Sequence, residues 1–415
     1  MQVYRLTRLS LAIGLSVATT SVMASPQTFM SARSFAMGGT GVAVAHPAEA
    51  AAKNPARMAS DQHEWSDDFG LILPSVNVRV ADEEEVIDQI DDIQDVIDNI
   101  DNAIIASDVP SAQSNAAVLR EQLKKFDKDT VRANLGLGLS VAIPSKVVAL
   151  GVFANGNLTV SARGNYDDRD DATLAAIEAG TLPPGSLSDK LYSSGSIIGS
   201  AVSEIGVAFA HSYALNDRDS IEIGVSPKFV NLQTFQYTSG ISDFDDDDFD
   251  GNDYKTEKNG FSMDVGAAYA FGEVKEWNAG IVIKNLIPMK LDSSQFGGQE
   301  KHTLKLDPMV TAGIAHKGQY HVVTAELDLT KKKAFGYEDD TQWLALGAEF
   351  DAWRYLQLRA GVRHNIGSKN DGDGIDEKTQ FTAGFGVNIL GVRMDLGALY
   401  SSADVGAALE FGTAF

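Results

Sequence analysis

The chain has 415 residues, of which 57 are acidic and 34 basic, giving a net charge of −23. Nucleic-acid binding needs a basic surface, so this charge argues against a nucleic-acid partner. The chain has no cysteine, which excludes disulfides, thiolate metal sites and thiol catalysis. Beyond the N-terminal leader, no apolar run approaches the roughly 18 residues of a spanning helix. The sequence therefore excludes a helical membrane protein and leaves a membrane β-barrel open.

The first 24 residues have the layout of a secretory signal peptide. Arg5 and Arg8 precede a short apolar stretch, and Val22-Met23-Ala24 places small residues at the cleavage positions. We expect cleavage after Ala24 and export of the mature chain. An exported, acidic, cysteine-free chain fits the envelope of a Gram-negative bacterium.

Residues 25–60 are rich in small residues and carry an Arg, a Gly-x-Gly and an Asn-Pro-Ala in that order. The motif residues are Arg33, Phe35, Gly39, Gly41, Asn54 and Pro55. A dinucleotide site is a weak alternative, since no strand precedes the glycines and the third glycine is missing. The order resembles the N-terminal segment of FadL-type outer-membrane transporters of hydrophobic compounds. It resembles even more the related TraF-type conjugal-transfer barrel family. In FadL-type proteins this segment plugs the barrel, so the resemblance implies a plug at 25–60 whose motif residues gate passage.

Residues 82–127 have a helical pattern of apolar residues, unlike the sequence on either side of them. Val86, Ile90 and Ile93 begin a series of apolar residues at spacings of three and four that runs to Ile104, with aspartates between them. This spacing predicts one apolar face of a helix. Pro110 and Ser111 end it, and Ala116 to Phe126 predicts a second helix. We expect a helical hairpin inserted between two strands on the extracellular side.

In the barrel region, 61–415, apolar residues alternate with small or polar ones with a period of two, apart from the helical insertion at 82–127. In 134–143 leucines alternate with glycines and small polar residues, and the final stretch, 404–415, repeats the pattern up to the terminal Phe415. Successive strand side chains point to opposite faces, so each strand has one apolar and one small or polar face. Fourteen such stretches predict an all-β protein, an outer-membrane antiparallel β-barrel of about 14 strands. A terminal aromatic residue resembles the signal that the barrel-assembly machinery reads, so we expect Phe415 to bind it.

The connections between the strands favour a membrane barrel over a soluble β-sandwich. Short turns such as Pro144-Ser145 and Lys317-Gly318-Gln319 alternate with long links such as 164–197 and 287–307. Short periplasmic turns and long outer loops are typical of outer-membrane barrels. We therefore expect contact with outer-membrane lipid and lipopolysaccharide.

One predicted outer loop matches the calcium-loop pattern Asp-x-Asp-x-Asp-Gly-x5-Glu. Its ligand positions are Asp246, Asp248, Asp250 and Glu257. The loop does not lie between helices, and Asp253 replaces the usual apolar eighth residue. Two interpretations stay open, a solvated acidic loop without any cofactor and a calcium site.

Charged residues recur on the face predicted to point into the lumen. They are Glu222, Lys228, Asp264, Glu326, Glu349, Arg359, Arg363, Arg393, Asp395 and Glu410. Charges of both signs on neighbouring strands predict ion pairs inside a plugged barrel, and the alternative is a polar route past the plug. The sequence holds no His-Glu-x-x-His and no Gly-x-Ser-x-Gly, so we expect no enzyme.

Pro227 lies in the middle of a predicted strand, between Val225 and Phe229. Proline has no N–H to donate to the neighbouring strand, which confines it to edges, strand starts and bulges. One interpretation is a bulge that adjusts curvature. The other is a gap in the wall for sideways release into the membrane, as the FadL resemblance implies.

Two functions follow from the resemblances. A FadL-like protein is a channel or transporter for hydrophobic or small molecules, with a hydrophobic small-molecule substrate. A TraF-type protein is a structural or surface-interaction barrel associated with conjugal transfer, without transport. The sequence selects no solute.

Overall fold

A computed structural model gives the three-dimensional structure of the chain. It describes residues 30–60, 70–82, 86–143, 145, 147–183, 185–243, 252–295, 299–352, 355–368, 375, 377–389 and 391–414. The predicted signal peptide, Asp246, Asp248, Asp250 and the terminal Phe415 lie outside these residues.

Fourteen strands of the described chain form one closed antiparallel barrel. The barrel strands are β1 Gly70–Asp82, β2 Thr130–Ile143, β3 Ala149–Asn165, β4 Ser194–Ala214, β5 Ser220–Gly240, β6 Lys255–Phe271, β7 Trp277–Lys284, β10 Met309–Lys317, β11 His321–Asp328, β12 Trp343–Ala352, β13 Leu356–Asn365, β14 Thr379–Ile389, β15 Val392–Tyr400 and β16 Asp404–Ala414. A separate hairpin consists of β8 Met289–Asp292 and β9 Thr303–Leu306. The fourteen-stranded barrel expected from the period of two is confirmed.

The barrel closes where β1 pairs with β16, from Gly70 opposite Ala414 to Ala81 opposite Asp404. In β16 the apolar side chains Val405, Leu409 and Phe411 are exposed on the outer wall, whereas Glu410 is fully buried in the lumen. Lipid can cover the outer residues, and a charged residue needs a partner within the lumen. The period of two therefore sets which residues meet lipid and which line the lumen.

The barrel wall is higher around β4 and β5 than around β7 and β11. Strands β4 and β5 have 21 residues each, whereas β7 and β11 have 8 each. A tilted strand crosses a bilayer with about 9–11 residues. The extra length of β4 and β5 therefore reaches past the membrane on the side of the long links, which we call the outer side.

Helices on the outer side share one apolar core. They are α3 Val86–Ala106, α4 Val109–Phe126 and α5 Arg169–Glu178. Their buried side chains include Ile93, Ile97, Leu119, Leu123 and Leu174. No helix among the described residues is both long enough and apolar enough to cross a membrane.

The structure differs from the sequence prediction at two places on the outer side. Helix α4 begins at Val109 and not near Ala116, because Asp108 caps it and Pro110 sits in its first turn, where a missing N–H costs nothing. The link at 287–307 contains the β8–β9 hairpin, whose Met289 and Leu304 pack with Phe335. The hairpin was missed because each of its strands has only four residues.

Residues 30–60, here called the plug, lie inside the barrel. They form α1 Ala32–Ala36, α2 Pro47–Lys53 and a 3-10 helix at Pro55–Ala59. Almost all of the plug is buried. The lumen is therefore filled by the chain's own N-terminal segment.

Candidate functional site

Short local signals fold the plug. The Ser34 amide donates to Ser31 Oγ at 3.0 Å, which caps α1. The His46 ring caps α2, while the Glu49 carboxylate accepts from the His46 amide at 2.9 Å. Asn54 caps the 3-10 helix, with Pro55 at its first position. The Asn-Pro-Ala motif is therefore the start of a short helix.

Arg33 ties the plug to the wall. Its Nε and Nη2 donate to the two carboxylate oxygens of Glu349 in β12, at 2.9 and 3.1 Å. Its Nη1 donates to Glu49 of the plug at 3.3 Å. Burial alone would lower the pKa of Arg33, but the carboxylates of Glu349 and Glu49 outweigh burial and raise it. Arg33 is therefore a charged anchor, held in a two-pronged geometry that a lysine could not reproduce.

The ion pairs continue from Arg33 across the wall and return to the plug. Arg359 donates to Glu349 at 2.6 Å and also to Asp395. Arg393 donates to Asp395 and, at 2.7 Å, to Glu410. Glu410 in turn accepts from the Ala32 amide of the plug at 3.0 Å. Charges of alternating sign thus link α1 to strands β12, β13, β15 and β16.

The other end of the plug has its own contacts with the wall. Arg57 Nη1 donates to Glu222 in β5 at 2.6 Å, and Ser226 Oγ donates to the Ala51 carbonyl at 3.1 Å. Lys284 donates to the Ala52 carbonyl. Each contact joins a residue of the plug helices to a specific strand of the wall. The plug therefore docks in one orientation.

A further ion-pair group lies in the wall beside this end of the plug. Lys228 contacts Glu204 at 2.8 Å and Asp264 at 2.9 Å, and Lys284 lies 3.5 Å from Asp264. These strands are neighbours, so inward residues of β4 to β7 meet here. The group neutralises charges that the lumen would otherwise leave unpaired.

The Gly-x-Gly turn receives a carboxylate from the wall. The amides of Gly41, Val42 and Ala43 donate to one oxygen of Glu326 in β11, at 2.8, 2.6 and 3.2 Å. Successive amides that point one way form a nest for an anion. The turn is thus a binding site for a residue of the barrel itself, which agrees with the weakness of the dinucleotide interpretation.

Phe35 and Asn54 make close contacts between the plug and the wall. Phe35 is buried against Ala408 and Leu399. Asn54 Nδ2 donates to the Val42 carbonyl at 2.8 Å, and a Cβ at Gly266 of β6 would overlap the Asn54 side chain. A glycine in the wall is therefore required where the plug approaches it.

A cavity of about 100 Å³ lies between the plug and the outer loops. Plug residues form its floor, and the loops after β11 and β13 contribute Lys332, Glu338 and Glu377 to its outer part. Among the described residues, its lining includes six basic and five acidic side chains. The space next to the plug is therefore strongly polar.

A second charge cluster lines this cavity near the pairing of β1 with β16 and β2. Arg79 of β1 contacts Glu377 at 3.0 Å and also contacts Asp404. Arg132 of β2 contacts the same two carboxylates at 2.6 and 2.7 Å. Burial would raise the pKa of Glu377, but Arg132 and Arg79 outweigh burial and hold it well below its usual range.

Sequence reasoning missed this second cluster. Arg79 and Arg132 occupy inward positions of strands with a period of two, so alternation could have found them. Glu377 belongs to a loop, where no periodicity reports which way a side chain points.

All ten charged residues predicted for the lumen lie on the inner face of the wall. Nine of them are fully buried, and Glu349 is nearly so, at 12% side-chain exposure. Three of the plug residues singled out by sequence, Arg33, Phe35 and Asn54, make the wall and turn contacts above. Gly39 and Gly41 form the turn, and Pro55 starts the 3-10 helix.

The calcium-loop residues are only partly covered. Asp246, Asp248 and Asp250 lie outside the described residues, and Glu257 sits on β6, where it accepts from Asn231 Nδ2 at 2.7 Å. Within the described part of the chain, no three His, Asp or Glu side chains are grouped to hold a metal ion. Calcium binding at 246–257 stays a prediction.

Pro227 lies at a break in the pairing of β5 with β4, whereas the pairing of β5 with β6 is unbroken. Pairing with β6 is continuous and places Pro227 opposite Met263. Pairing with β4 stops after Lys228 opposite Gly206 and resumes at Val225 opposite Phe209, with no change of register. The described strand therefore has a local break in pairing toward β4 and no bulge there. A register shift occurs instead in β1, between Ile72 and Ser75.

Two solved structures similar to this chain are titled monoaromatic hydrocarbon channels. The CymD monoaromatic hydrocarbon channel aligns with a TM-score of 0.53 and 13% identity, over 94% of this chain and 99% of that one. The TodX deltaS2S3 mutant monoaromatic hydrocarbon channel aligns with a TM-score of 0.52 and 13% identity, over 93% and 99%. At this identity the likeness shows a shared β-barrel fold.

Sequence comparison gives the family. No curated protein sequence matches the chain. The family described as "F plasmid transfer operon, TraF, protein" matches residues 51–328, which is more than half of the chain and spans the end of the plug and most of the barrel. The predicted resemblance to TraF-type barrels is confirmed, and the chain belongs to the TraF family of the F plasmid transfer operon.

Proposed function

We propose that this protein is a plugged outer-membrane barrel that passes small solutes, hydrophobic ones among them, when its plug moves. The observation that carries the proposal is the plug itself, which fills a closed barrel and borders a cavity on the outer side. A barrel with a purely mechanical role would not need an internal segment with capped helices and specific wall contacts. The proposal makes the protein a transporter and not an enzyme.

The relatives suggest a probe for passage. Structures that share the fold are titled monoaromatic hydrocarbon channels. A monoaromatic hydrocarbon is therefore the first solute to test. In this proposal the chain is exported by its cleavable signal peptide and is recognised by the barrel-assembly machinery through Phe415. It then sits among lipid and lipopolysaccharide of a Gram-negative outer membrane.

A disulfide lock tests whether the plug must move. The Ala36 Cβ lies 3.5 Å from the position that a Cβ would take at Gly397 of β15. This separation lies within the range of disulfides, and the chain has no cysteine of its own. The variant Ala36→Cys with Gly397→Cys should therefore join α1 to the wall through one defined bond.

Uptake of a labelled monoaromatic hydrocarbon is measured in cells with the locked barrel, before and after reduction. We expect slow uptake when the bond is formed and recovery with a reductant. The two single-cysteine variants control for the added side chains and should behave like the wild type. Equal uptake in both states would show that the plug does not gate, and no barrel-dependent uptake at all would overturn the transport proposal.

The outer helices support a second candidate function, a surface-interaction barrel linked to conjugal transfer. Helices α3, α4 and α5 share an apolar core separate from the lumen, and Ile105 near the end of α3 is highly exposed. Replacing residues 86–126 with a short turn should abolish plasmid transfer and leave hydrocarbon uptake intact if this function holds. Unchanged transfer would leave transport as the better account.

A further inference from the structure

Two cations meet at Gly39 on the inner side of the cavity. Lys53 Nζ of the plug donates to the Gly39 carbonyl at 2.8 Å. Arg363 of β13 places Nη1 3.4 Å from the position that a Cβ would take at Gly39. Gly39 has a φ of +86°, a left-handed conformation that glycine adopts without strain. The turn thus brings a plug cation and a wall cation to one residue.

Within the described part of the chain, neither cation is paired with a carboxylate. Among the described residues, no Asp or Glu oxygen lies within ion-pair distance, 4 Å, of Lys53 or Arg363. Arg363 Nε donates to Gln380 Oε1 at 2.6 Å, and its guanidinium lies 4.3 Å from the Trp343 ring. Its Nη2 is buried and has no hydrogen-bond partner among the residues that the structure describes. Only 7% of Arg363 and 5% of Lys53 is exposed.

Three of the five acidic residues that line the cavity have other hydrogen-bond or ion-pair partners. Glu326 accepts from three plug amides, and Glu377 pairs with Arg79 and Arg132. Asp328 accepts from Thr311 Oγ1 at 2.7 Å and from the Trp343 amide at 3.0 Å. Each of these three acids is engaged elsewhere, and none of them forms an ion pair with Lys53 or Arg363, although Glu326 and Asp328 still attract Lys53 from beyond ion-pair distance.

An unpaired buried cation is costly, and a planar guanidinium binds an oxyanion through two parallel hydrogen bonds. We infer that the cavity binds a small oxyanion, a carboxylate or a phosphate, held by Arg363 from the wall and Lys53 from the plug. At about 100 Å³ the space fits an anion of a few heavy atoms and excludes a long chain. The anion would bridge plug and wall, and its binding does not require that the barrel transport anything.

Calorimetry on the intact barrel in a neutral detergent tests the site, with acetate and inorganic phosphate as separate probes at constant ionic strength. We expect saturable binding of at least one probe. Binding of both indicates a general oxyanion site, and binding of one alone assigns the site to carboxylates or to phosphates. Trp343 fluorescence should change with binding, since its ring stacks on Arg363.

The variant Arg363→Gln should weaken binding at least tenfold while keeping a polar side chain at this position. Arg218→Gln is the matched control, because it removes the same charge from an exposed turn between β4 and β5 and should bind like the wild type. If Arg363→Gln fails to assemble, Lys53→Gln replaces it and should also weaken binding. No saturable binding by the wild type, or equal binding by an assembled variant, would overturn the inference.

Discussion

The anchored side of the plug and the turn at Gly39 treat buried charge in opposite ways. Toward β12–β16, Arg33, Arg359 and Arg393 are each paired with carboxylates. At Gly39, Lys53 and Arg363 are as deeply buried and have no carboxylate within 4 Å among the described residues, although Arg79 and Arg132 on the same cavity are paired. Burying a charge costs free energy unless it is paired. The paired side therefore anchors the plug, and the unpaired side is where a ligand can supply the missing charge.

The largest expected effect comes from breaking the anchored side. Arg33→Ala leaves Glu49 and Glu349 buried near one another, and removing one partner of a buried pair costs about 3–5 kcal/mol. We expect faster hydrogen exchange at plug amides in an assembled barrel. Arg120→Ala, which breaks an outer pair at 33% exposure, is the control and should have a much smaller effect. Equal hydrogen exchange in both variants would show that Arg33 holds the plug no more firmly than an exposed ion pair does.

The pH dependence of anion binding tests whether Lys53, one of the two unpaired cations, contributes to the site. Burial lowers the pKa of Lys53 to about 8, with Lys284 adding to this and Glu326, Glu49 and Asp328 opposing it. Because the protonated amine attracts an anion, acetate should bind more weakly as pH rises through about 8. Acetate keeps its charge over this range. Lys53→Gln should bind acetate with no such pH dependence, and an unchanged pH profile in that variant would exclude Lys53.

A smaller effect is expected in the wall, away from both sides of the plug. Pro227→Val restores an N–H at the gap in β4–β5 pairing. If this gap releases solute into the membrane, the variant should assemble normally and take up a hydrophobic substrate more slowly. Uptake at the wild-type rate by an assembled variant would leave Pro227 as a local break in pairing only.

The smallest effect concerns the outer loop at 246–257. Carboxylates held close together repel unless a cation neutralises them, so the intact barrel should bind calcium there. Asp248→Ala with Glu257→Ala should remove that binding and leave the plug undisturbed. Equal calcium binding by this double variant would place the ion elsewhere.

The strand pattern made the barrel predictable. A period of two marks both faces of every strand, so the inward position of residues such as Asp264 and Glu410 follows from the sequence alone. The helical hairpin at 82–127 was equally clear, because its isoleucines recur with the helical period.

The site could be predicted only in part. Arg33 and Asn54 stand in a motif, but the wall residue that each contacts is set by docking across a long sequence separation, which is 316 positions for Arg33 and Glu349. The unpaired state of Arg363 is likewise invisible in the sequence, since Arg359 occupies an equivalent inward position of the same strand and is paired. Pairing depends on which residues the docked plug and the loops bring next to each arginine.

Ionic conductance in planar bilayers tests the central claim most directly, namely that residues 30–60 close the lumen through the Arg33 anchor. The wild-type barrel should pass little current, and Arg33→Ala should show frequent large openings, with Arg120→Ala closed like the wild type. A wild type that conducts as an open fourteen-stranded pore, or an assembled Arg33→Ala barrel that stays closed, would contradict the account.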